Sequence, residues 1–124
     1  MKNIKAVVLH ENLTKGLENC TVGLPVEINA ARRKNVRALK PIVEDFVETR
    51  NDLIKQYGTE DENGNFSAEV SNKEFVAELN KLAEMENDIT LVTFDEALIP
   101  SGLTPCEYDI LAEMAEEGGK TDGK

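Results

Sequence analysis

The feature that most constrains this chain is a long stretch at residues 25–57, bounded by a proline and a glycine. Pro25 suits the first turn of a helix and Gly58 suits the residue just after its end, which predicts one helix of about 33 residues. Apolar side chains recur within it at alternating steps of three and four, with Arg50 in the remaining position: Val36, Leu39, Val43, Phe46, Leu53 and Tyr57. This is a heptad pattern, typical of a helix that packs against another helix.

Pro41 interrupts this helix. It lacks the backbone N–H that would donate a hydrogen bond to the carbonyl of Arg37, so we expect a kink or a break into two helices. The whole element would be roughly 50 Å long, whereas a second helix of about 15 residues covers only about 22 Å. The uncovered part must meet the small sheet, another subunit or a partner. We therefore predict a homo-oligomer with this interface: Val36, Leu39, Val43, Phe46, Arg50 and Leu53.

Local signals predict the other elements. Residues 4–9 and 89–94 have the β-branched content of strands and are expected to pair with each other. Asn63-Gly64 is a hairpin-type turn signal, although its flanks are polar. Capping boxes predict helices that begin after Ser71, ending near residue 87, and after Thr104, ending near residue 116.

The predicted fold class is therefore α+β and mostly helical. A long kinked helix packs on a shorter one, with a small two-stranded sheet and a short C-terminal helix. The 124 residues are enough for one domain with its own core, which we assign to residues 1–117. Residues 118–124 follow a Gly-Gly stop and are expected to be a disordered tail.

Charge is distributed very unevenly along the chain. Residues 1–40 carry eight Lys/Arg and three Glu, a net charge of +5, whereas residues 41–124 carry six Lys/Arg and twenty-one Asp/Glu, a net charge of −15. The basic residues concentrate in one island without an acidic residue: Arg32, Arg33, Lys34, Arg37 and Lys40. The overall charge of −10 argues against duplex nucleic acid as a partner, because such binding needs a broad basic surface.

The basic island is the candidate ligand site. On a helix Arg33, Arg37 and Lys40 share one face, and with Arg32 they are the residues expected to bind a phosphate or carboxylate. The alternative is a solvated face that pairs with Glu44, Glu48 or the acidic second helix. Arg50 has two interpretations as well. It either meets a carboxylate of Asp52, Glu78 or Glu84 and sets helix register, or keeps its head in water.

The chemistry expected of an enzyme is missing from the sequence. The loop at residues 60–65 resembles a calcium loop, but Phe66 and Asn72 stand where the turn glycine and the bidentate glutamate belong. His10 lies far along the chain from Cys20 and Cys106, and no metal-ligand spacing or Gly-rich phosphate loop occurs. We predict a non-catalytic protein with no metal and no cofactor.

Neither a secretory signal nor an apolar run long enough to span a bilayer occurs in the sequence. These features predict a cytoplasmic protein without a membrane partner. The two cysteines are then expected to be reduced thiols.

Four segments together resemble a group of small, functionally uncharacterised proteins encoded by tailed phages and prophages. They are a Leu-Pro pair opening a basic helix at residues 24–35, the run at 50–58, Asp-Glu-Asn-Gly at 61–64, and Leu-Thr-Pro-Cys-Glu-Tyr-Asp-Ile-Leu at 103–111. The resemblance implies a helical hairpin with a minor sheet and a viral origin, in the cytoplasm of an infected bacterial host. It implies no catalytic or binding residues.

The resemblance, the charge distribution and the missing catalytic groups together predict a phage accessory protein that self-associates and sequesters a partner. Countering host defence is the expected purpose, with a host immune protein or a small anionic nucleotide signal as the partner. Two alternatives remain open. One is a structural or chaperone role in virion assembly, and the other is an acidic nucleic-acid mimic that depends on Glu74, Glu78 and Glu84.

Overall fold

The computed structural model, which describes residues 1–69 and 71–116, confirms the α+β, mostly helical class. Its helices are α1 (Asn3–Thr14), α2 (Val26–Tyr57), α3 (Lys73–Glu84) and α4 (Pro105–Ala112), with short 3-10 turns at Lys15–Leu17 and Glu96–Leu98. Its strands are β1 (Thr59–Glu60), β2 (Phe66–Ser67), β3 (Phe94–Asp95) and β4 (Ala115–Glu116). The tail predicted at residues 118–124 lies outside the described residues.

The segment at residues 4–9 lies in helix α1, so the strand predicted there is wrong. The buried side chains of α1 include Ala6, Leu9 and Leu13, which recur at helical spacing, whereas a strand would place Ala6 and Leu9 on opposite faces. Ile4 and Val8, which gave the segment its strand-like composition, are 44% and 50% exposed. Burial of one helical stripe therefore decides this element, and the β propensity of the branched residues does not.

Helix α2 forms almost as predicted, with Pro25 as its N-cap and Gly58 as its C-cap. It continues through Pro41, so the predicted alternative of a break into two helices does not occur. Pro41 is on an exposed side of the helix, where the backbone carbonyl that loses its amide partner can be hydrated.

Two helices cover α2. Its first half, including Ile28, Ala31 and Leu39, joins α1 in the main core. Its last turn meets α3, where the rings of Tyr57 and Phe75 lie 6.1 Å apart between centroids. Helix α1, where a strand was predicted, thus contacts a part of α2 that was expected to lack a helical partner within the chain. Self-association stays a prediction, without support from the length of α2.

The Asn63-Gly64 signal corresponds to a β-hairpin, in which β1 and β2 pair antiparallel directly after α2. Gly64 has a φ of 82°, a conformation that glycine adopts without steric cost. The turn is organised by Asp61, whose Oδ1 accepts hydrogen bonds of 2.9 Å from the backbone N–H groups of Asn63 and Asn65. A carboxylate that caps its own turn in this way is a structural group in an exposed loop.

Gly58 is required where α2 meets the hairpin, because a Cβ there would collide with the backbone carbonyl oxygens of Ile54 and Ser67. We expect Gly58→Ala to lower the free energy of unfolding by about 1–3 kcal/mol, the usual cost of forcing extra volume into packed backbone. Gly23→Ala is the control, since a Cβ at Gly23 meets no atom within 4 Å. Urea denaturation of both variants measures the difference, and equal stabilities would contradict this role of Gly58.

The N-cap of helix α3 is Asn72, one residue later than the predicted N-cap. The side chain of Asn72 accepts hydrogen bonds of 3.1 Å from the backbone N–H groups of Glu74 and Phe75. Ser71, the predicted cap, instead donates a hydrogen bond from its hydroxyl to the carboxylate of Glu69. An asparagine at the N-cap serves as well as a serine, so the start signal was correct to within one residue.

Helix α4 begins with the predicted capping box. The hydroxyl of Thr104 accepts from the backbone N–H of Glu107, and the Glu107 carboxylate accepts from the backbone N–H of Thr104. The helix ends at Ala112, earlier than predicted. Leu111 and Met114 are buried, whereas Tyr108 is 41% exposed.

After α4 the chain turns back and β4 pairs in parallel with β3. The predicted pairing of residues 4–9 with residues 89–94 is therefore wrong, because neither segment forms the predicted strand. Only Phe94 of the second segment lies in a strand, and most of that segment runs without regular structure. Its position is fixed by Asn35 of α2, whose amide donates to the carbonyl of Val92 (2.9 Å) and accepts from its N–H (2.7 Å).

One continuous apolar core lies between α1, α2 and α4. It consists of Ala6, Leu9, Leu13, Leu17, Ile28, Ala31, Leu39, Phe94, Ile110, Leu111 and Met114. At the other end of α1, Asn3 donates to the carbonyl of Leu82 in α3 (2.8 Å) and accepts from Asn87 (2.7 Å). Glu84 nearby accepts a hydrogen bond from Lys2, and this bond together with the carboxylate charge raises the pKa of Lys2. Helix α1 is thus fastened both to the core and to α3.

Candidate functional site

The basic face of α2, defined as Arg33, Arg37 and Lys40, lies opposite the protein core. At 100° per residue these three side chains fall within about 60° of arc, and the buried residues Ile28 and Leu39 lie on the other side of the helix. All three basic side chains are exposed, as is Lys34 at the flank. The placement follows from sequence, because the apolar stripe that enters the core forces the opposite stripe into solvent.

These cations form no ion pair with any carboxylate in the part of the chain that the structure describes. Within residues 1–69 and 71–116, no Asp or Glu oxygen lies within 4 Å of the side-chain nitrogens of Arg33, Lys34, Arg37 or Lys40. The predicted intramolecular partners Glu44 and Glu48 are exposed on α2 but form no ion pair with the basic face. The face is therefore a concentrated positive surface on a protein of charge −10.

The structure separates Arg32 from the rest of the island. Its position is about 100° around the helix from Arg33, and its side chain is half-buried. Its Nε donates a hydrogen bond of 2.7 Å to the backbone carbonyl of Leu13 at the end of α1. Arg32 therefore lies off the basic face, as its position on the helix predicts, although it was expected to bind the same ligand as Arg33, Arg37 and Lys40.

The residues predicted to form an oligomer interface differ in how far they are accessible. Leu39 and Phe46 are buried within the chain, with Leu39 fully inaccessible. Val36, Val43 and Leu53 are half-buried, and Arg50 is exposed. A second copy could touch only the partly exposed members without unfolding this one. The interface stays a prediction, and the surface available to a second copy is smaller than the six predicted residues would provide.

Arg50 has no carboxylate within 4 Å among the residues that the structure describes. Of its predicted partners, Glu78 pairs with Lys81 (3.7 Å) and Glu84 pairs with Lys2. This supports the interpretation in which the Arg50 guanidinium is solvated. The same ion pairs engage two of the three carboxylates on which the nucleic-acid mimic would depend.

The remaining reactive side chains are dispersed. His10 in α1 and Cys20 in the loop that follows the 3-10 turn are half-buried, and Cys106 is exposed at the start of α4. Over the described part of the chain, no group of three His, Cys, Asp or Glu side chains is placed to hold a metal ion.

In the same residues, no helix has the length and apolar character needed to cross a bilayer.

Sequence reasoning missed the two buried asparagines, Asn3 and Asn35, which are 7% and 1% exposed. Asn35 could have been recognised, because it continues the apolar spacing of Ile28, Ala31 and Leu39 and so points at the core. The predicted heptad begins at Val36, which is half-buried, whereas the buried position at this end of the helix is Asn35, one residue earlier.

Comparison with known proteins adds no relative. No protein family, no curated protein and no solved structure matches this chain.

Proposed function

We propose that this protein is a non-catalytic accessory protein that binds and sequesters an acidic partner through the basic face of α2. The observation that carries the proposal is the set of three exposed cations on one helix face, which form no ion pair with residues 1–69 or 71–116. Such a face gains electrostatic energy from an anionic surface without first breaking ion pairs of its own.

The shape of the face favours an acidic protein over a small nucleotide. Arg33 and Lys40 are separated by about 10 Å along the helix axis, on its outward, convex surface. Small ligands are usually held in concave sites that bury most of their surface, whereas a protein surface can dock onto one side of a helix. A nucleotide signal would need the basic faces of two copies to converge, which ties that alternative to self-association.

The resemblance to tailed-phage proteins supports a place for this function in infection. A small acidic protein that captures an acidic host immune protein would act in the cytoplasm of the infected bacterium, as a counter-defence factor. A role in virion assembly would use the same face on a phage partner. Mass spectrometry of purified particles separates these two, because only an assembly role leaves the protein stably incorporated.

A charge-neutralised variant tests the binding face. We expect the triple variant Arg33→Gln/Arg37→Gln/Lys40→Gln to bind a fluorescent poly-glutamate peptide about 10–100-fold more weakly. The reason is that each lost contact contributes about 0.5–1 kcal/mol to the binding free energy. The control Lys5→Gln/Lys55→Gln/Lys73→Gln removes three exposed cations elsewhere and has the same net charge. Fluorescence anisotropy at low and high salt measures both affinities.

Equal weakening by the two variants would show a general charge effect and overturn the assignment to α2. Tight binding of a cyclic dinucleotide by the parent protein, with no binding of the peptide, would instead favour the nucleotide alternative. Sedimentation of the free protein then decides whether that binding requires a dimer.

A further inference from the structure

Arg32 lines a small cleft that the basic face does not include. The cleft measures about 220 Å³ and is open to solvent between the 3-10 turn after α1 and the first turns of α2. Its walls are formed by Leu17, Cys20, Val22, Leu24, Asn29 and Arg32. The lining therefore combines aliphatic side chains with an amide, a thiol and a guanidinium.

The guanidinium of Arg32 is held in place while most of its donors remain available. Its Nε is fixed by the carbonyl of Leu13, and no other hydrogen bond or ion pair to Arg32 is formed within the described residues. Arginine carries five N–H donors, so four on the two Nη atoms are left for a ligand. Because one end of the group is anchored, an anion that binds here loses less side-chain entropy than at a free arginine.

The polar neighbours of Arg32 are less available. Asn29 donates to the carbonyl of Leu24 (3.3 Å), and the thiol of Cys20 donates to the carbonyl of Val22 (3.6 Å). The strongest free group in the cleft is thus a planar cation, which matches a carboxylate in two parallel hydrogen bonds. Leu17, Val22 and Leu24 supply the smaller, apolar part of the exposed lining, which a short alkyl chain on the same molecule could contact.

We propose that this cleft is a binding site for a small aliphatic carboxylate, with Arg32 as its anion-binding residue. The volume is below that of typical sites for drug-sized ligands, which limits the ligand to a short chain. The site is independent of the proposed function, since Arg33, Arg37 and Lys40 point into solvent on another side of α2.

Cys20 provides a direct test, because its thiol lies in the cleft. Iodoacetate and iodoacetamide both alkylate a thiolate: a C–S bond forms at the reagent's methylene carbon, the C–I bond breaks and iodide leaves. Only iodoacetate carries a carboxylate. We expect the ratio of the iodoacetate rate to the iodoacetamide rate at Cys20 to fall about tenfold in Arg32→Gln, since a lost charge-assisted pair is worth about that factor.

Arg33→Gln is the matched control, because it removes the same charge one residue away and should keep the ratio of the parent protein. Cys106, quantified in the same digest, should show the same ratio in all three proteins. Equal ratios at Cys20 in the parent and Arg32→Gln, or an equal fall in Arg33→Gln, would overturn the proposal.

A titration of the unmodified protein makes the test independent of any variant. Addition of sodium butyrate should shift the Arg32 Nε–H and Cys20 amide NMR signals to saturation, while sodium chloride at equal ionic strength should not. Signals that respond equally to the two salts would overturn the proposal.

Discussion

Replacement of Asn35 by alanine should lower the free energy of unfolding by about 2–3 kcal/mol, and the melting temperature by roughly 10 °C. The variant loses the hydrogen bonds from Asn35 to both backbone groups of Val92 and to the sulfur of Met114 (3.1 Å). Partly buried backbone groups at Val92 are then left without their partner, which costs more than the bonds themselves contributed. Urea denaturation measures the change.

The matched control is Asn29→Ala on the same helix. Asn29 is half-buried and makes one hydrogen bond of 3.3 Å to the carbonyl of Leu24, so its loss should cost less than about 1 kcal/mol. Hydrogen exchange gives a second readout, because Asn35 protects the Val92 amide directly. An Asn35→Ala protein in which that amide exchanges as slowly as in the parent would contradict the role assigned to Asn35.

Asn35→Asp gives a pH-dependent version of the same result. The new carboxyl would be buried beside the Val92 carbonyl without a cation, so its folded-state pKa should be raised above the unfolded value. A raised acid pKa lowers stability at neutral pH, and the penalty disappears as pH falls below the unfolded pKa of about 4. We therefore expect the stability difference from the parent to be largest at pH 7 and to shrink in acid.

Leu39→Ala should lower the free energy of unfolding by about 2–5 kcal/mol. Leu39 is fully buried in the core of the single chain, so the change leaves a cavity as well as lost apolar contact. Val36→Ala is the comparison, since Val36 is half-buried on the same helix and should lose about 1 kcal/mol.

The Leu39→Ala variant also distinguishes packing within one chain from packing between subunits. If Leu39 belonged to a subunit interface, as the heptad pattern predicts, stability would rise with protein concentration and Leu39→Ala would abolish that dependence. Packing within the chain predicts the same loss of stability at every concentration. Denaturation curves at two concentrations a hundredfold apart therefore test the structural placement, and a loss confined to the higher concentration would refute it.

The sequence by itself determined the elements whose signals are local. Helix α2 begins and ends where Pro25 and Gly58 predict, α4 begins at its capping box, and Asn63-Gly64 forms a hairpin turn. These features depend on backbone conformations and hydrogen bonds within a few residues, which the residue types there specify directly. The exposure of Arg33, Arg37 and Lys40 followed from helical geometry in the same way.

Only the tertiary structure decided which apolar stripes would meet. It made residues 4–9 a helix, because burial of Ala6 and Leu9 against α2 outweighs the strand propensity of their neighbours. It paired the Asn35 side chain with the backbone of Val92 and the Arg32 side chain with the carbonyl of Leu13. Such choices depend on contacts between segments far apart in the chain, whose free energies exceed local preferences and leave no signal in any one segment.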